Sequence, residues 1–173
     1  ICRSQAKVLA LEEILRTRSG VKVARFHEGM SLLQRDRNAA YFAEADGARL
    51  LLCSEIGSEG RNFQFAHHLV LWDLPLDPDL LEQRIGRLDR IGQKHDILIH
   101  ACAFSGTAQH ALMRWFELGL DAFRSSPSDG RELLKRYGQR LVEVAEQHAH
   151  GSEDADSELD ALIGATRASH EEL

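Results

Sequence analysis

The chain has 173 residues and is 43% hydrophobic, enough for one domain with a sizeable core and a small appendage. Three cysteines without a C-x-x-C pair, no apolar run of membrane-spanning length and no signal-peptide pattern lead us to expect a soluble, cytoplasmic protein. The formal charge of −6 is uneven, because residues 143–173 carry nine acidic side chains against one basic one and leave +2 for residues 1–142, so an acidic average does not exclude a nucleic-acid partner.

Up to residue 104 the sequence alternates between strand and helix patterns. Residues 1–3 read as the end of a strand, so we expect a piece of a longer protein. Ser4 can cap the first helix, and Ser31 with Gln34 forms a capping box for the second. The predicted elements are, in order, a helix over 4–18, a strand over 21–26, a helix over 31–45, a strand over 48–54, a loop or short helix over 55–65, a strand over 68–73, a helix over 78–90 and a strand over 97–104.

This alternation predicts an α/β fold, a parallel sheet with helices on both faces. The continuous apolar run Leu50–Cys53 is typical of a strand that is covered on both sides. In such sheets ligands bind at the carboxyl ends of the strands. The loops after Phe26, Ser54 and Asp73 are therefore the predicted binding edge.

Beyond residue 104 the pattern becomes helical. The spacing predicts helices over 107–124, 131–148 and 157–167, with a break at 125–130 and a polar, mobile stretch over 149–158. We expect three parts: an α/β domain over 1–104, a helical extension over 105–148 that packs on it, and an acidic tail over 149–173 that is mobile or helical.

Three polar side chains are predicted to share one face of the helix over 78–90. Asp77 and Pro78 provide a capping side chain and a first-turn proline, and Gln83, Arg87 and Arg90 are spaced i, i+4 and i+7. Arginine suits a phosphoryl group because its planar fork offers paired donors and stays charged. From spacing alone, a solvated basic face is an equally good interpretation.

The rest of a nucleotide site is missing from the sequence. No G-x-x-x-x-G-K followed by Ser or Thr is present, so no loop here would cradle the β- and γ-phosphates. The carboxylates of Glu55, Glu59 and Asp89 are candidates for acid and base chemistry, but we rather expect them to orient nearby arginines, in particular Asp89 between Arg87 and Arg90. We interpret His148 and His150 as solvated and predict no metal site. The chain therefore carries what half of an ATPase site would carry.

Four ordered segments resemble motifs of the superfamily two helicases and translocases. Residues 83–93 read QRIGRLDRIGQ and resemble motif VI, Q-x-x-x-R-x-x-R-x-G-Q in the Swi/Snf branch. Residues 51–62, LLCSEIGSEGRN, look like motif V. Residues 26–31, FHEGMS, followed by Arg35, look like motif IVa, and residues 1–5 look like the end of motif IV. Order and spacing agree over residues 1–104.

The resemblance implies a RecA-like second motor lobe, followed by C-terminal helices. Arg87 and Arg90 would be arginine fingers that meet ATP held by an absent N-terminal RecA-like lobe, which would also hold the Mg²⁺. Gln83 would support that site. The nucleotide-binding residues that the resemblance implies are Glu59, Gly60 and Asn62.

The resemblance also implies contacts to one strand of double-stranded DNA. The residues concerned are Ser4, Gly29, Ser31, Ser54 and Arg61. Small residues and free N–H groups at helix starts suit phosphates, although the serines would cap their helices in any case.

The amino-acid sequences of residues 53–66 and 73–93 are most similar to those of bacterial, RNA polymerase-associated members of the Swi/Snf branch. Gly86 stands where many eukaryotic remodelers carry an acidic residue, which argues against nucleosome remodelling. The expected function is an ATP-dependent DNA translocase that recycles or remodels RNA polymerase, with the fragment alone inactive. The alternatives are a non-catalytic protein-interaction module derived from such a lobe and a stand-alone small-molecule enzyme, for which no paired acid and base are visible.

Overall fold

The computed structural model describes residues 1–55 and 63–172, and these form two compact units. The first unit contains Ile1–Leu71 and Arg84–His100, and the second contains Trp72–Gln83 and Ala101–Leu173. The elements of the chain are α1 (Gln5–Arg18), β1 (Val23–Phe26), α2 (Leu32–Ala43), β2 (Leu50–Cys53), β3 (His68–Leu71), α3 (Pro78–Ile85), β4 (Leu98–Ala101), α4 (Ala108–Arg114), a π-helical turn (Trp115–Gly119), α5 (Gly130–Ala149) and α6 (Ala155–Glu172).

Local capping signals fix where the first two helices begin. The Ser4 hydroxyl accepts a hydrogen bond from the Lys7 N–H at the start of α1. At the start of α2, Ser31 Oγ accepts from the Gln34 N–H and the Gln34 side chain accepts from the Ser31 N–H, which completes the predicted capping box. Gly20, with φ of +64°, follows the end of α1 and permits the left-handed turn into β1.

Among the described residues the strands form two hydrogen-bonded pairs, and the first of these pairs is parallel. Strands β1 and β2 run parallel in the register Val23 to Leu50 through Phe26 to Cys53, and β3 lies beside β4. The start of the chain lies between these two pairs: the Cys2 N–H donates to the Cys53 carbonyl at 2.9 Å and the nitrogen of Ile1 donates to the Val70 carbonyl at 2.7 Å. The prediction that residues 1–3 behave as a strand end agrees with these hydrogen bonds.

The first unit has its core between α1 and the strands β1 and β2. Cys2, Val8 and Leu52 are buried together, with Leu11, Leu15, Val23 and Leu50 packed against them. All of these side chains come from elements that the sequence pattern predicted. The apolar faces of α1 and β2 therefore meet as the periodicity indicated.

The second unit is built from helices, and its centre is Trp115. This side chain is fully buried, and its Nε1 donates to the Thr166 hydroxyl of α6 at 2.9 Å. The predicted helix over 107–124 ends earlier than expected, because it passes from α4 into the π-helical turn and stops at Gly119. Asp121 then adopts a positive φ of 49°, which a continuing helix does not allow.

Helix α6 is longer than the pattern over 157–167 suggested. It spans 18 residues, and Leu159, Leu162 and Ile163 are buried in the second unit. It begins at Ala155, inside the stretch that was predicted to be mobile. Among the helices of residues 1–55 and 63–172, none combines the length and apolar character that crossing a membrane requires.

Candidate functional site

The arginine-containing segment begins as predicted but does not remain helical to Arg90. Asp77 caps α3, because its Oδ1 accepts from the Asp79 N–H at 2.9 Å. The helix ends at Ile85, whose carbonyl accepts from the N–H groups of both Leu88 and Asp89. The prediction of one helix over 78–90 was therefore wrong, and Gly86, a poor helix former, follows the last helical residue.

The end of α3 separates the three residues that were predicted to share one helical face. Gln83 is exposed within the helix, on the part of it that belongs to the second unit. Arg87 lies in the turn after the helix, and Arg90 is an exposed residue beyond that turn. A common helical face therefore does not exist, and the positions of the two arginines depend on their own hydrogen bonds.

Arg87 lies at the carboxyl end of β2. Its guanidinium donates to the backbone carbonyl of Glu55 and, at 3.5 Å, to that of Ser54. The side chain is half-buried. These contacts hold Arg87 at the predicted binding edge of the sheet, beside Ser54 and Glu55, the first two residues after β2.

Arg90 is held less firmly than Arg87. Its Nε donates to the Gly86 carbonyl at 3.0 Å within its own segment, and the residue is exposed. A guanidinium anchored through one nitrogen keeps its other donors available to an incoming oxyanion. Arg90 is thus the more adaptable of the two predicted fingers.

A third arginine, which the sequence did not single out, is buried. Arg84 is only 1% exposed, and its Nε and Nη2 donate to the two carboxylate oxygens of Glu55 at 2.8 Å and 2.6 Å. The prediction that Glu55 orients an arginine is confirmed, but the partner is Arg84. Spacing could not distinguish Arg84 from Arg87, because Arg84 pairs with Glu55, a residue that follows β2 and lies far from Arg84 in sequence.

The carboxylate of Glu28 connects one predicted DNA-binding residue, Ser54, to the start of α1. One of its oxygens accepts from the Ser54 hydroxyl, and the other accepts from the Gln5 N–H at the start of α1, 3.3 Å away. The hydrogen bond from Ser54 lowers the pKa of Glu28, with backbone N–H donors acting in the same direction. The carboxylate is therefore ionised at neutral pH.

Ser54 is buried while Glu28 is exposed, so the carboxylate covers the hydroxyl. The neighbouring His27 is buried, and burial lowers its pKa, which keeps the imidazole neutral near pH 7. Its Nδ1 accepts from the Gly29 N–H at 3.2 Å. The turn that carries Gly29 is thus held by the histidine before it.

Ser4 and Ser31 act as helix caps, and Gly29 lies close to the first of those helices. A Cβ atom at Gly29 would come within 2.7 Å of the Gln5 side-chain amide at the start of α1. Gly29 thus lies directly against Gln5. Ser54 is linked to the same residue through Glu28, which accepts hydrogen bonds from both. Ser31 begins α2 two residues after Gly29.

Four predicted site residues lie outside the described residues. They are Glu59, Gly60, Arg61 and Asn62, so their roles stay predictions. Within residues 1–55 and 63–172, no group of three or more histidine, cysteine or acidic side chains could hold a metal ion.

The prediction that His148 is solvated was wrong. The side chain is buried, and its Nε2 lies 3.0 Å from Oδ1 of Asp156 at the start of α6. His150, by contrast, is exposed, and its Nδ1 lies 2.6 Å from the carbonyl of Glu146. The burial of His148 depends on a helix that the sequence predicted only weakly, which is why the local acidic context was misleading.

Comparison with known protein families gives two adjacent matches. The helicase conserved C-terminal domain matches residues 1–92, and the RNA polymerase recycling family C-terminal domain matches residues 96–173. The RNA polymerase-associated protein RapA of Cronobacter sakazakii is 54% identical over 176 residues, which cover all of this chain. The chain spans 18% of the length of that relative.

Two solved structures share the fold. The C-terminal part of the Fun30 ATPase domain matches 86% of this chain and 46% of its own, with a TM-score of 0.62 and 19% identity. The SWI2/SNF2 ATPase core of Sulfolobus solfataricus, solved in complex with double-stranded DNA, matches 86% of this chain and 30% of its own, with a TM-score of 0.59 and 19% identity. These similarities confirm the predicted fold, a RecA-like helicase lobe with parallel strands, followed by C-terminal helices. The chain belongs to the helicase C-terminal domain family and continues into the C-terminal domain of the RNA polymerase recycling family.

Proposed function

We propose that this chain is the second motor lobe of an ATP-driven translocase on double-stranded DNA that recycles or remodels RNA polymerase. The observation that carries the proposal is the position of Arg87, half-buried and hydrogen-bonded to the carbonyls at the carboxyl end of β2. A guanidinium fixed at the ligand-binding edge of a RecA-like sheet is suited to meet a phosphoryl group that another lobe presents.

Arg87 and Arg90 act in this proposal as arginine fingers. During phosphoryl transfer, negative charge spreads over the oxygens of the transferred group, and a positioned arginine stabilises that charge. Arg87 supplies a prepositioned guanidinium, and the exposed Arg90 supplies one that can adjust. Gln83 supports them, and the nucleotide contacts of Glu59, Gly60 and Asn62 complete this side of the site.

ATP itself is shared with an N-terminal RecA-like lobe, which in this proposal holds the Mg²⁺. The metal ion would neutralise charge on the β- and γ-phosphates. The side chains described here fit the complementary part, because guanidiniums bind phosphoryl oxygens while no cluster of metal-binding side chains accompanies them in the described ranges. The fragment alone is accordingly expected to hydrolyse no ATP.

The DNA contacts involve the starts of α1 and α2 and the end of β2. Ser4 and Ser31 begin helices α1 and α2, whose N-termini carry partial positive charge that attracts phosphates, and Gly29 and Ser54 lie near the start of α1. Arg61 would add a charge. Such contacts grip the DNA backbone without reading its sequence, which suits a translocase.

The C-terminal helices belong to a family named for RNA polymerase recycling, and the 54% identical relative is RNA polymerase-associated. We assign the same partner to the longer protein that contains this chain. The boundaries that we propose stay as the sequence indicated them, with a motor lobe over 1–104, a helical extension over 105–148 and a helical tail over 149–173.

The test requires the longer parent protein with both lobes. We expect Arg87→Ala and Arg90→Ala each to lower DNA-stimulated ATP turnover at least about a hundredfold, the range that arginine fingers supply. Arg25→Ala is the matched control, since Arg25 pairs with Glu12 on the surface of the same unit. Unchanged turnover in both finger variants would favour the alternative, a non-catalytic interaction module.

A further inference from the structure

Arg84 and Glu55 form a buried, two-point ion pair in the first unit. The two nitrogens of the arginine fork meet the two carboxylate oxygens at 2.8 Å and 2.6 Å, and the arginine is 1% exposed. A buried guanidinium is strongly destabilising without a well-oriented counter-charge, so Glu55 holds the Arg84 side chain in place. The pair therefore fixes the last turn of α3 relative to the carboxyl end of β2.

Ser54 and Glu55, the two residues that follow β2, also hold Arg87. The Arg87 guanidinium donates to the backbone carbonyls of Ser54 and Glu55, whereas Arg84 bonds the Glu55 side chain. Two arginines three residues apart thus grip Glu55 from its side chain and from its backbone. Arg84 restrains the side chain of Glu55, while Arg87 bonds the backbone carbonyl of the same residue.

We propose that Arg84 is a positioning residue: through Glu55 it fixes the carbonyls that hold the Arg87 guanidinium in place for the triphosphate. This inference rests on the proposed function, because it assigns Arg84 a purpose only if Arg87 acts in catalysis. Misplacing a catalytic group by about 1 Å can cost about a hundredfold in rate. Arg84 acts on the reaction only through Arg87 and does not touch the nucleotide.

Stability alone is a weak explanation for this pair. Replacing a buried ion pair by apolar side chains of similar volume is often neutral or even stabilising, so such pairs are better suited to fixing geometry. The pair of Arg25 with Glu12 in the same unit shows the contrast, because it has one contact of 2.7 Å and its arginine side chain is 40% exposed, against 1% for Arg84. A two-point contact to a buried guanidinium restrains rotation more than a one-point contact to an exposed one.

The first measurement uses Arg84→Lys in the two-lobed parent protein. Lysine keeps the charge that Glu55 needs but loses the fork, so we expect turnover to fall about tenfold or more while KM for ATP changes less than about threefold. Arg25→Lys, the matched control, is expected to keep the turnover of the unmodified protein. Unchanged turnover in Arg84→Lys would overturn the inference.

The second measurement places Arg84→Lys in the Arg87→Ala background. If Arg84 acts through Arg87, the double variant has the turnover of Arg87→Ala alone, within about twofold, because non-additivity marks residues that act as a unit. If the two losses multiply, Arg84 acts independently and the inference is wrong.

The two proposals can fail separately. Unchanged turnover in Arg87→Ala would contradict the proposed function. A large loss in Arg87→Ala, together with multiplied losses when Arg84→Lys is added, would contradict only the role of Arg84. Thermal unfolding shows whether Arg84→Lys folds. If it does not, the neutral pair Arg84→Gln with Glu55→Gln replaces it, with the same expected non-additivity and the same contradicting result.

Discussion

Helices α2 and α5 show how differently the two units use their side chains. Helix α2, in the first unit, has none of its described residues buried, and Leu32 and Leu33 are 70% and 59% exposed at its start. Helix α5, in the second unit, buries six residues along 20. Helix α2 therefore contributes little to internal packing, whereas α5 is a central part of the core of its unit.

Polar groups follow the same division. In the second unit, buried side chains with polar groups bond neighbouring helices: Trp115 donates to the buried Thr166, and His148 meets the exposed Asp156. In the first unit, the polar groups gather at the carboxyl end of β2, where Glu28, Arg84 and Arg87 converge on Ser54 and Glu55. The comparison suggests that substitutions in the second unit change stability, while those at the end of β2 change binding and turnover.

The largest expected effect is on stability in the second unit. Trp115→Ala removes a fully buried indole together with its hydrogen bond to Thr166, and we expect the free energy of unfolding to fall by about 4 kcal/mol. Leu33→Ala, on the exposed surface of α2, is expected to change it by less than about 0.5 kcal/mol. Urea denaturation of the chain measures both, and equal losses would show that the division between the units is wrong.

A smaller effect, in the first unit, depends on pH. Burial raises the pKa of the Cys53 thiol to about 11 from an ordinary value of 9.0. Between these two pH values the unfolded chain loses the proton and the folded chain keeps it, so stability falls as the pH rises. We expect the loss from Cys53 at about pH 10, relative to neutral pH, to be about 1 kcal/mol.

Comparing the chain with Cys53→Ala by urea denaturation at both pH values isolates this contribution from those of other groups. The variant is less stable throughout, but its stability should fall less steeply with pH. Equal slopes in the two proteins would mean that the thiol ionises as readily in the folded chain as in the unfolded chain.

Signals that act within a few residues predicted the structure well. The capping box of Ser31 and Gln34, the cap at Ser4 and the cap at Asp77 need only neighbours in sequence, and each is present. The alternation of strand and helix patterns predicted the fold correctly, because it indicates a parallel sheet whose two faces are covered by helices. Strand and helix ends were less accurate, as the end of α3 at Ile85 shows.

Contacts between distant residues decided what the sequence could not. Three arginines in one short segment look equivalent, yet Arg84 is buried because Glu55, 29 residues away, lies opposite it. Arg87 leaves the helix because its hydrogen-bond acceptors are carbonyls at the end of β2. His148 is buried and contacts Asp156 at the start of α6. Each outcome depends on tertiary packing, which overrides local pattern.

The smallest expected effect concerns DNA binding by the first unit. The ionised carboxylate of Glu28 bonds the Ser54 hydroxyl and the N–H at the start of α1, both groups that the proposed function assigns to phosphate binding. A DNA phosphate would have to displace this carboxylate. We therefore expect Glu28→Gln, which keeps the size of the side chain but removes its charge, to bind double-stranded DNA about threefold more tightly at low salt.

The measurement is a titration of the two-lobed parent protein with double-stranded DNA of fixed length at several salt concentrations. Glu13→Gln is the matched control, because Glu13 is an exposed acid on α1 that pairs with Arg16, away from Ser54. Salt should reduce the gain from Glu28→Gln, since screening weakens exposed charges. An equal gain in both variants would attribute the effect to net charge, and Ser54 would then have no special part in holding the DNA.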